Sequence, residues 1–443
     1  MKENTDSDAG GIKQEIKKIP QKGPFRRDYW RSPLRGPWMA SFMSLLLLIV
    51  IPIVFITGLI DHVAWNPDLG GTNNRTPEMG LLGFLQGTEW PTRPIWLYRL
   101  TEGTHVVLGI TLLPLVLAKL WAIMPSLYKW PLADSLGHAL ERISLLFVIG
   151  GIFFQIFTGL FYIQNFIILN NVTFNRLHFY GNWIFIAGLV LHVLVKFPEM
   201  IKGLKGRDLD EEMSKSTDET EPEPEEEGRL VSTDPAPPTI SRRGAIAIAG
   251  GSALTIMALA VGQTLGRDWS WLAILSPRAQ SPAGDGPNDF RVNKTAKKAK
   301  IQPEQVGPDW RLELVGATTH SLSREDLLAM PLHTSSLPIS CLEGWSTGNQ
   351  SWEGVRLRDL AVLAGMPNAG KVLFESLEST DAVARMSFMR HNQIQDPLSL
   401  LALRVNGADL SMDHGYPARA IVPATPGNRN TKWIYRMTFM EEA

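Results

Sequence analysis

The chain has 443 residues, 44% of them hydrophobic, and a formal net charge of −1. That balance excludes a nucleic-acid binder resting on bulk positive charge, and the crowding of apolar residues into a few long runs excludes a wholly soluble globular protein. A single cysteine, Cys341, excludes intrachain disulfides and cysteine-rich zinc motifs.

Five runs, near 38–60, 104–124, 143–165, 178–198 and 244–265, are long enough for a bilayer core, which takes about 20 residues of helix. The first four are rich in Leu, Ile, Phe and Val; the fifth is milder and rich in small residues. Several of the 14 tryptophans stand beside these runs, where aromatic belts are expected. Lysine and arginine crowd the stretch before the first run (Lys13, Lys17, Lys18, Lys22, Arg26, Arg27, Arg31, Arg35) and the connection between the fourth and fifth (Lys196, Lys202, Lys205, Arg207, Lys215, Arg229, Arg242, Arg243). The loops between the first and second runs and between the third and fourth carry only Arg75, Arg93, Arg99 and Arg176. The positive-inside rule then puts the N-terminus in the cytoplasm and everything after residue 266 outside.

The expected layout is a basic cytoplasmic N-terminus (1–35), a four-helix transmembrane domain (36–200), an acidic Pro-rich cytoplasmic linker (201–241), a fifth transmembrane helix (242–266) and an extracytoplasmic domain (267–443). The linker reads ETEPEPEEEGRL and then DPAPP, a composition expected of a solvated tether. Arg242-Arg243 ahead of the mild fifth run resembles a twin-arginine export signal, although an ordinary positive-inside anchor explains the same two residues. Ala258-Leu259-Ala260 has the form of a cleavage site; the helix is expected to be retained.

Five of the nine histidines lie in or beside the first four runs: His62, His105, His138, His178 and His192. Ionisable side chains at membrane depth are costly and are functional candidates by default. His178 and His192 are 14 residues apart, which puts both rings on nearly one helix face and roughly 21 Å apart along the axis. That suits two stacked redox centres, and neutral imidazole is a good axial ligand for haem iron. By depth, His105 pairs with His178 on the outer side and His138 with His192 on the inner side. His62 is either a spare outer ligand or an interfacial residue.

Residues 35–200, with THVVLGITLLPLVLAKLW and LHFYGNWIFIAGLVLHVLVKFP, resemble the di-haem cytochrome b subunits of formate dehydrogenases and nickel–iron hydrogenases. The resemblance implies two haem b groups, with His105, His178 and His192 at matching positions, and exchange with the membrane quinone pool. The family takes its remaining inner ligand from the start of the first span, where this chain reads Arg35-Gly36-Pro37-Trp38. Either His138 substitutes or one haem is bound.

From about 267 onward the pattern turns to short strands with few helices. LALRVNGADL reads as a hairpin about Asn-Gly, ARAIVPA and KWIYRMTFM as strands, SREDLLAM and VRLRDLAVLAG as helices, giving an α+β domain of mostly β character. An unpaired thiol outside the cytoplasm calls for burial or ligation. A thiolate suits a metal already held by sulfur, and an inert buried cysteine is the alternative. SCLEGW, SWEGVRLRDL, HGYPARAIVPA and the basic KW segment, in that order, resemble the sulfite-oxidase-type molybdopterin domain over roughly 300–443. The resemblance implies that Cys341 is the catalytic molybdenum ligand and that His414, Arg419, Arg429 and Lys432 surround the anionic pterin. It also puts Arg385, Arg390 and His391 near the substrate. Glu343 is read as a turn residue, with a proton relay as the alternative.

Together these features describe a multi-pass protein of the bacterial cytoplasmic membrane. The expected activity passes electrons between quinone or quinol and an extracytoplasmic sulfoxide, sulfite or similar oxyanion, through haem b and molybdopterin. The competing reading is a haem-based transmembrane conduit or sensor with a non-catalytic outer domain. Membrane lipid is the other expected partner, nucleic acid is not one, and the chain neither requires nor excludes a homodimer.

Overall fold

The computed structural model describes residues 23–65, 89–130, 135–164, 174–225, 230–276, 284–379 and 385–441. Lys13, Lys17, Lys18, Lys22, Arg75 and Arg229, which enter the orientation argument, lie outside the described residues. Among the described residues, five helices are long and apolar enough to cross a membrane: α1 (Pro37–Trp65), α2 (Leu97–Leu127), α3 (Leu136–Ile163), α4 (Phe174–Leu204) and, beyond the short α5 (Leu209–Ser214), α6 (Arg242–Leu265). Large apolar side chains such as Ile56, Leu146, Leu194 and Leu254 stay exposed on them, an arrangement that water disfavours and hydrocarbon does not.

By contacts the described chain divides into two units. The first takes residues from 1–53, 108–161 and 167–257, the second from 54–107, 162–166 and 258–443. The division therefore runs through α1, α2 and α6 and cuts off the last residues of α3, and the 54–107 stretch groups with the C-terminal domain.

In the first unit, the described part of the 201–241 connection is not wholly the solvated tether that its composition suggests. It carries α5, N-capped by Asp208, whose carboxylate accepts from the Glu211 amide at 3.0 Å. Glu212 is buried and ion-paired to Arg207 at 2.6 Å, Lys215 at 2.8 Å and Arg242 at 2.9 Å. Arg242, almost fully buried, also donates to the carbonyls of Pro33 and Glu221. Glu223 accepts from the Trp38 amide at 3.0 Å, satisfying a donor that the first turn of α1 leaves without an intrahelical partner. Composition misled here because Glu212, upstream of the acidic run, meets Arg207, Lys215 and Arg242, and Glu223 within the run turns to the Trp38 amide, while Glu219, Glu221 and Glu225 stay exposed. One arginine of the twin pair is thus a structural cation in the folded chain, and Arg243 donates to the Met213 carbonyl.

The second unit contains two sheets. The first orders as β2 (Thr319–Leu322), β1 (Leu312–Val315), β10 (Ile434–Met440), β5 (Lys371–Ser376) and β6 (Met386–Arg390), with β1 and β10 parallel and the remaining neighbours antiparallel. The second orders as β3 (His333–Leu337), β4 (Gln350–Arg356), β7 (Leu400–Val405) and β8 (Ala408–Asp409), with β9 (Arg419–Ile421) also pairing β7. The Asn-Gly hairpin forms as the sequence predicts: Asn406 and Gly407, at φ 51° and 84°, turn β7 into β8. The helices α7 (Arg324–Ala329) and α8 (Leu357–Leu363) also fall on their sequence signals. Leu327, Leu357 and Leu360 from these helices are fully buried with Leu312, Phe374 and Met437 from the first sheet. Trp352, Leu337, Leu400 and Ile421 form a second cluster on the other sheet.

Burial alone would raise the Glu212 carboxyl, but hydrogen bonds from Lys215, Arg207 and Arg242 outweigh it and hold the group at about 2, below its ordinary 4.5. A carboxyl lowered in this way stabilises the fold above its ordinary value and loses that contribution as pH falls through the folded value. Glu212→Gln should therefore cost on the order of 3 kcal/mol at pH 7. In thermal unfolding across pH, the gap to wild type should narrow below about 4.5 and approach closure near 2.

Candidate functional site

Cys341 is buried in the turn between β3 and β4. Its amide donates to the Trp345 carbonyl at 2.9 Å and its carbonyl accepts from the Gly344 amide at 3.0 Å, closing a tight loop. Gly344 has φ +81°, a conformation that favours glycine. Glu343 accepts from the Trp345 indole at 2.8 Å, in keeping with a turn role. Ser340 is bridged to both Ser346 and Pro426, and its carbonyl accepts from the Gly427 amide at 2.7 Å. The 425–427 turn is thereby fixed against the cysteine loop.

Beyond that turn, basic side chains converge. Arg419, on β9, is 2% exposed and donates to the carbonyls of His414 at 3.0 Å and Asn430 at 3.1 Å. Its guanidinium lies over the Trp352 ring, and its Nε is buried with no hydrogen-bond partner. Lys432 donates to the carbonyls of Lys294 and Asp413 and lies over the Trp433 ring. His414 stacks on Phe290 with centroids 3.8 Å apart, and its Nε2 is 2.9 Å from the Asn288 carbonyl. Gly415, at φ +104°, lets the two cations approach, because a Cβ there would fall 2.9 Å from that of Lys432 and 3.2 Å from that of Arg419.

The electrostatics of this group are unfavourable without an anion. Burial pulls the Arg419 guanidinium down to about 9. Burial, then the Arg419 charge, lowers the Lys432 ammonium well below its ordinary value, with Asp413 and Cys341 opposing. Burial and the Arg419 charge take His414 to about 3, so its imidazole is neutral near pH 7. Buried cations require a partner, and an anionic pterin meets that need with charge-assisted hydrogen bonds. The donors present therefore fit such a group: Cys341 for the metal, and Arg419, Lys432 and His414 for its anionic organic part.

Other sequence candidates are placed differently. Arg429 is buried but spends its guanidinium on the Ala64 carbonyl at 3.1 Å and the Phe388 carbonyl, so it braces the end of α1 against β6. Arg385 is exposed ahead of β6, and Nδ1 of His391 is 3.0 Å from the Ala369 carbonyl. The segment that follows holds the 89–96 stretch: Asn392 donates to the Trp90 carbonyl, and Asp396 pairs with Arg93 at 2.8 Å. Arg291, which the sequence reading missed, places its guanidinium 5.1 Å from the centre of the Trp345 ring. It belongs to the irregular 288–294 segment, where periodicity offers no signal, and only its contact with the cysteine loop marks it out.

Two membrane-type histidines share a chemical feature. His105 Nδ1 is 2.8 Å from the Val54 carbonyl, which only an N–H can satisfy, so the lone pair stays on Nε2. Gly58 makes room for that ring, since a Cβ there would lie 2.5 Å from its Cε1. Thr158 donates its hydroxyl to the Phe154 carbonyl at 2.7 Å, so its oxygen accepts from His178 Nδ1 at 3.1 Å. In both rings Nε2 carries the electron pair an iron takes, oriented as metal-ligating histidines are. His62 is buried edge-on to Trp65, His138 Nε2 is 3.4 Å from Arg142 Nε, and His192 is half-buried.

Residues 298–443 match the family model of the oxidoreductase molybdopterin binding domain. This places the C-terminal third of the chain in the class of molybdenum-dependent oxidoreductase domains. Among curated proteins, an uncharacterized oxidoreductase, YuiH, of Bacillus subtilis is 34% identical over 137 residues, covering 30% of this chain and 66% of its own length. The mitochondrial sulfite oxidase of Rattus norvegicus is 33% identical over 165 residues, covering 31% of this chain and 30% of its own.

Lys432→Met should weaken cofactor retention roughly tenfold to hundredfold, at ~1.5–3 kcal/mol for a hydrogen bond to a charged group. The cofactor-free variant should melt no lower than cofactor-free wild type, because the substitution removes a buried cation that lacks its anion. Molybdenum analysis and paired melting curves check both.

Proposed function

We propose that the chain is a membrane-bound molybdenum oxidoreductase. It passes electrons between the quinone pool and an extracytoplasmic sulfoxide, sulfite or similar oxyanion through haem b. The observation that carries this reading is the buried, cation-lined Cys341 loop in the same compact unit as the metal-ready His105. Molybdopterin, when bound, supplies two-electron oxygen-atom chemistry. Cys341 contributes a thiolate to the metal, and Arg419, Lys432 and His414 hold the pterin and offset its charge. Arg291 and the Trp345 ring border the loop and suit an anionic substrate.

The five apolar helices support membrane insertion, with the N-terminus cytoplasmic and the domain after α6 outside. His105 and His178 are the ligands of the outer haem. His192 and His138 are those of an inner one, for which His138 Nε2 gives up its contact with Arg142. Arg242-Arg243 serves as a twin-arginine export signal before Glu212 closes over Arg242. Electrons run outward, from quinol to a reducible oxygen-atom donor, as suits bis-His haems next to a quinol site.

Detergent-purified protein should contain one molybdenum and two haems per chain; one haem would remove the inner centre, and no molybdenum would refute the enzyme. Cys341→Ala should abolish turnover of sulfoxide and sulfite while leaving haem content unchanged. His178→Ala should lose one haem and the coupling to quinol, read from the reduced haem spectrum.

A further inference from the structure

The cysteine loop is gripped from two sides by the segments of α2 and α6 that belong to its own unit. On one side α2 lies against it. A Cβ at Gly344 would fall 2.9 Å from both Cβ and Cγ1 of Val106 and 3.0 Å from Cγ2, so the glycine backbone stands in direct contact with that side chain. Tyr98, two turns earlier on α2 and almost fully buried, packs with Ala64 and Trp90 against Leu342, the residue after the cysteine. On the other side is the end of α6. Thr264 donates its hydroxyl to the Gly344 carbonyl at 2.8 Å, and the Ser346 amide donates to the Gln263 carbonyl at 2.8 Å. The two helices also meet each other, because a Cβ at Gly103 would lie 2.1 Å from Cγ2 of Thr264.

Val106 is the covalent neighbour of His105, and the Gly344 amide is hydrogen-bonded to the Cys341 carbonyl at 3.0 Å. The candidate iron ligand and the candidate molybdenum ligand are thus joined by one peptide bond, one van der Waals contact and one hydrogen bond. We propose that the Val106–Gly344 contact is the electron-transfer junction between the haem held by His105 and the molybdenum held by Cys341, with Thr264 as the positioning residue that presses Gly344 onto α2. The inference rests on the proposed function for the identity of the two centres and adds the route between them. Each turnover requires two electrons to cross this contact in succession. A quinol gives up two electrons and two protons to become quinone, and the sulfoxide takes two electrons and two protons to become sulfide and water. A side chain at residue 344 would hold the loop off α2, a second constraint at this position beside its φ of +81°.

The test is single-turnover haem reoxidation. The full-length protein, holding both cofactors, is reduced with a water-soluble quinol and mixed with dimethyl sulfoxide in a stopped flow. Val106→Ala removes the two methyls facing Gly344 and should slow reoxidation roughly tenfold, equivalent to ~1.4 kcal/mol of barrier. Haem spectrum, haem count and molybdenum count should stay at wild-type values. Thr264→Val, which removes the bond to the Gly344 carbonyl and keeps a side chain of nearly the same shape against Gly103 of α2, should slow the same step and decides alone if Val106→Ala loses haem. A readout independent of cofactor comes from melting the cofactor-free protein. There, Val106→Gly should restore the part of the stability lost in Gly344→Ala that comes from the contact, because it vacates the space the new Cβ needs, while the cost of the positive φ remains. Reoxidation at the wild-type rate in a haem- and molybdenum-loaded variant would overturn the junction and leave the proposed function standing. Wild-type protein without haem or without molybdenum would overturn the proposed function, and the junction with it.

Discussion

Arg419 and Lys432 are buried side by side, and each raises the cost of the other. Their hydrogen bonds go to main-chain carbonyls, which satisfy donors but do not neutralise charge. A chain tolerates buried like charges only when something anionic belongs with them. The geometry around them serves that purpose. Trp352 and Trp433 present ring faces to the cations, Phe290 fixes the His414 ring, and Gly415 lets the two basic stems converge. The second sheet and the 425–427 turn then set the Cys341 loop beside this pocket of positive potential. The fold of the C-terminal domain is in this sense organised about an anion that carries a metal.

The same unit includes the end of α1 and the start of α2. Arg429 closes the C-terminal end of α1, Trp90 donates its indole to the Ala424 carbonyl, and Arg93 pairs with Asp396. These contacts treat the C-terminal domain and the 54–107 stretch as one folded body. A haem bound at His105, as proposed, would then be held at a fixed separation from the cysteine loop, with no reliance on a diffusional encounter between separate parts.

Much of this was legible in the sequence. The five apolar runs, the Asn406-Gly407 hairpin and the helices read from SREDLLAM and VRLRDLAVLAG each have a local signal that tertiary context did not override. Arg419, Lys432 and His414 were identified through motif resemblance, and the structure gathers them into one cluster. Arg429 is assigned to the same cluster by the same resemblance, whereas in the structure its guanidinium donates to the Ala64 and Phe388 carbonyls. The acidic linker was misread because composition reports like charges and cannot report that Arg207, Lys215 and Arg242 meet Glu212 from several directions. Arg291 and the Val106–Gly344 contact carry no periodic signature, since each depends on segments far apart in the chain. Such pairings appear only once the backbone is folded.

The most direct test of the metal site is X-ray absorption at the molybdenum edge of the intact, detergent-purified protein. The account predicts three sulfur neighbours, two from the pterin dithiolene and one from Cys341, with the third replaced by a lighter atom in Cys341→Ser. An unchanged sulfur shell in that variant would contradict it.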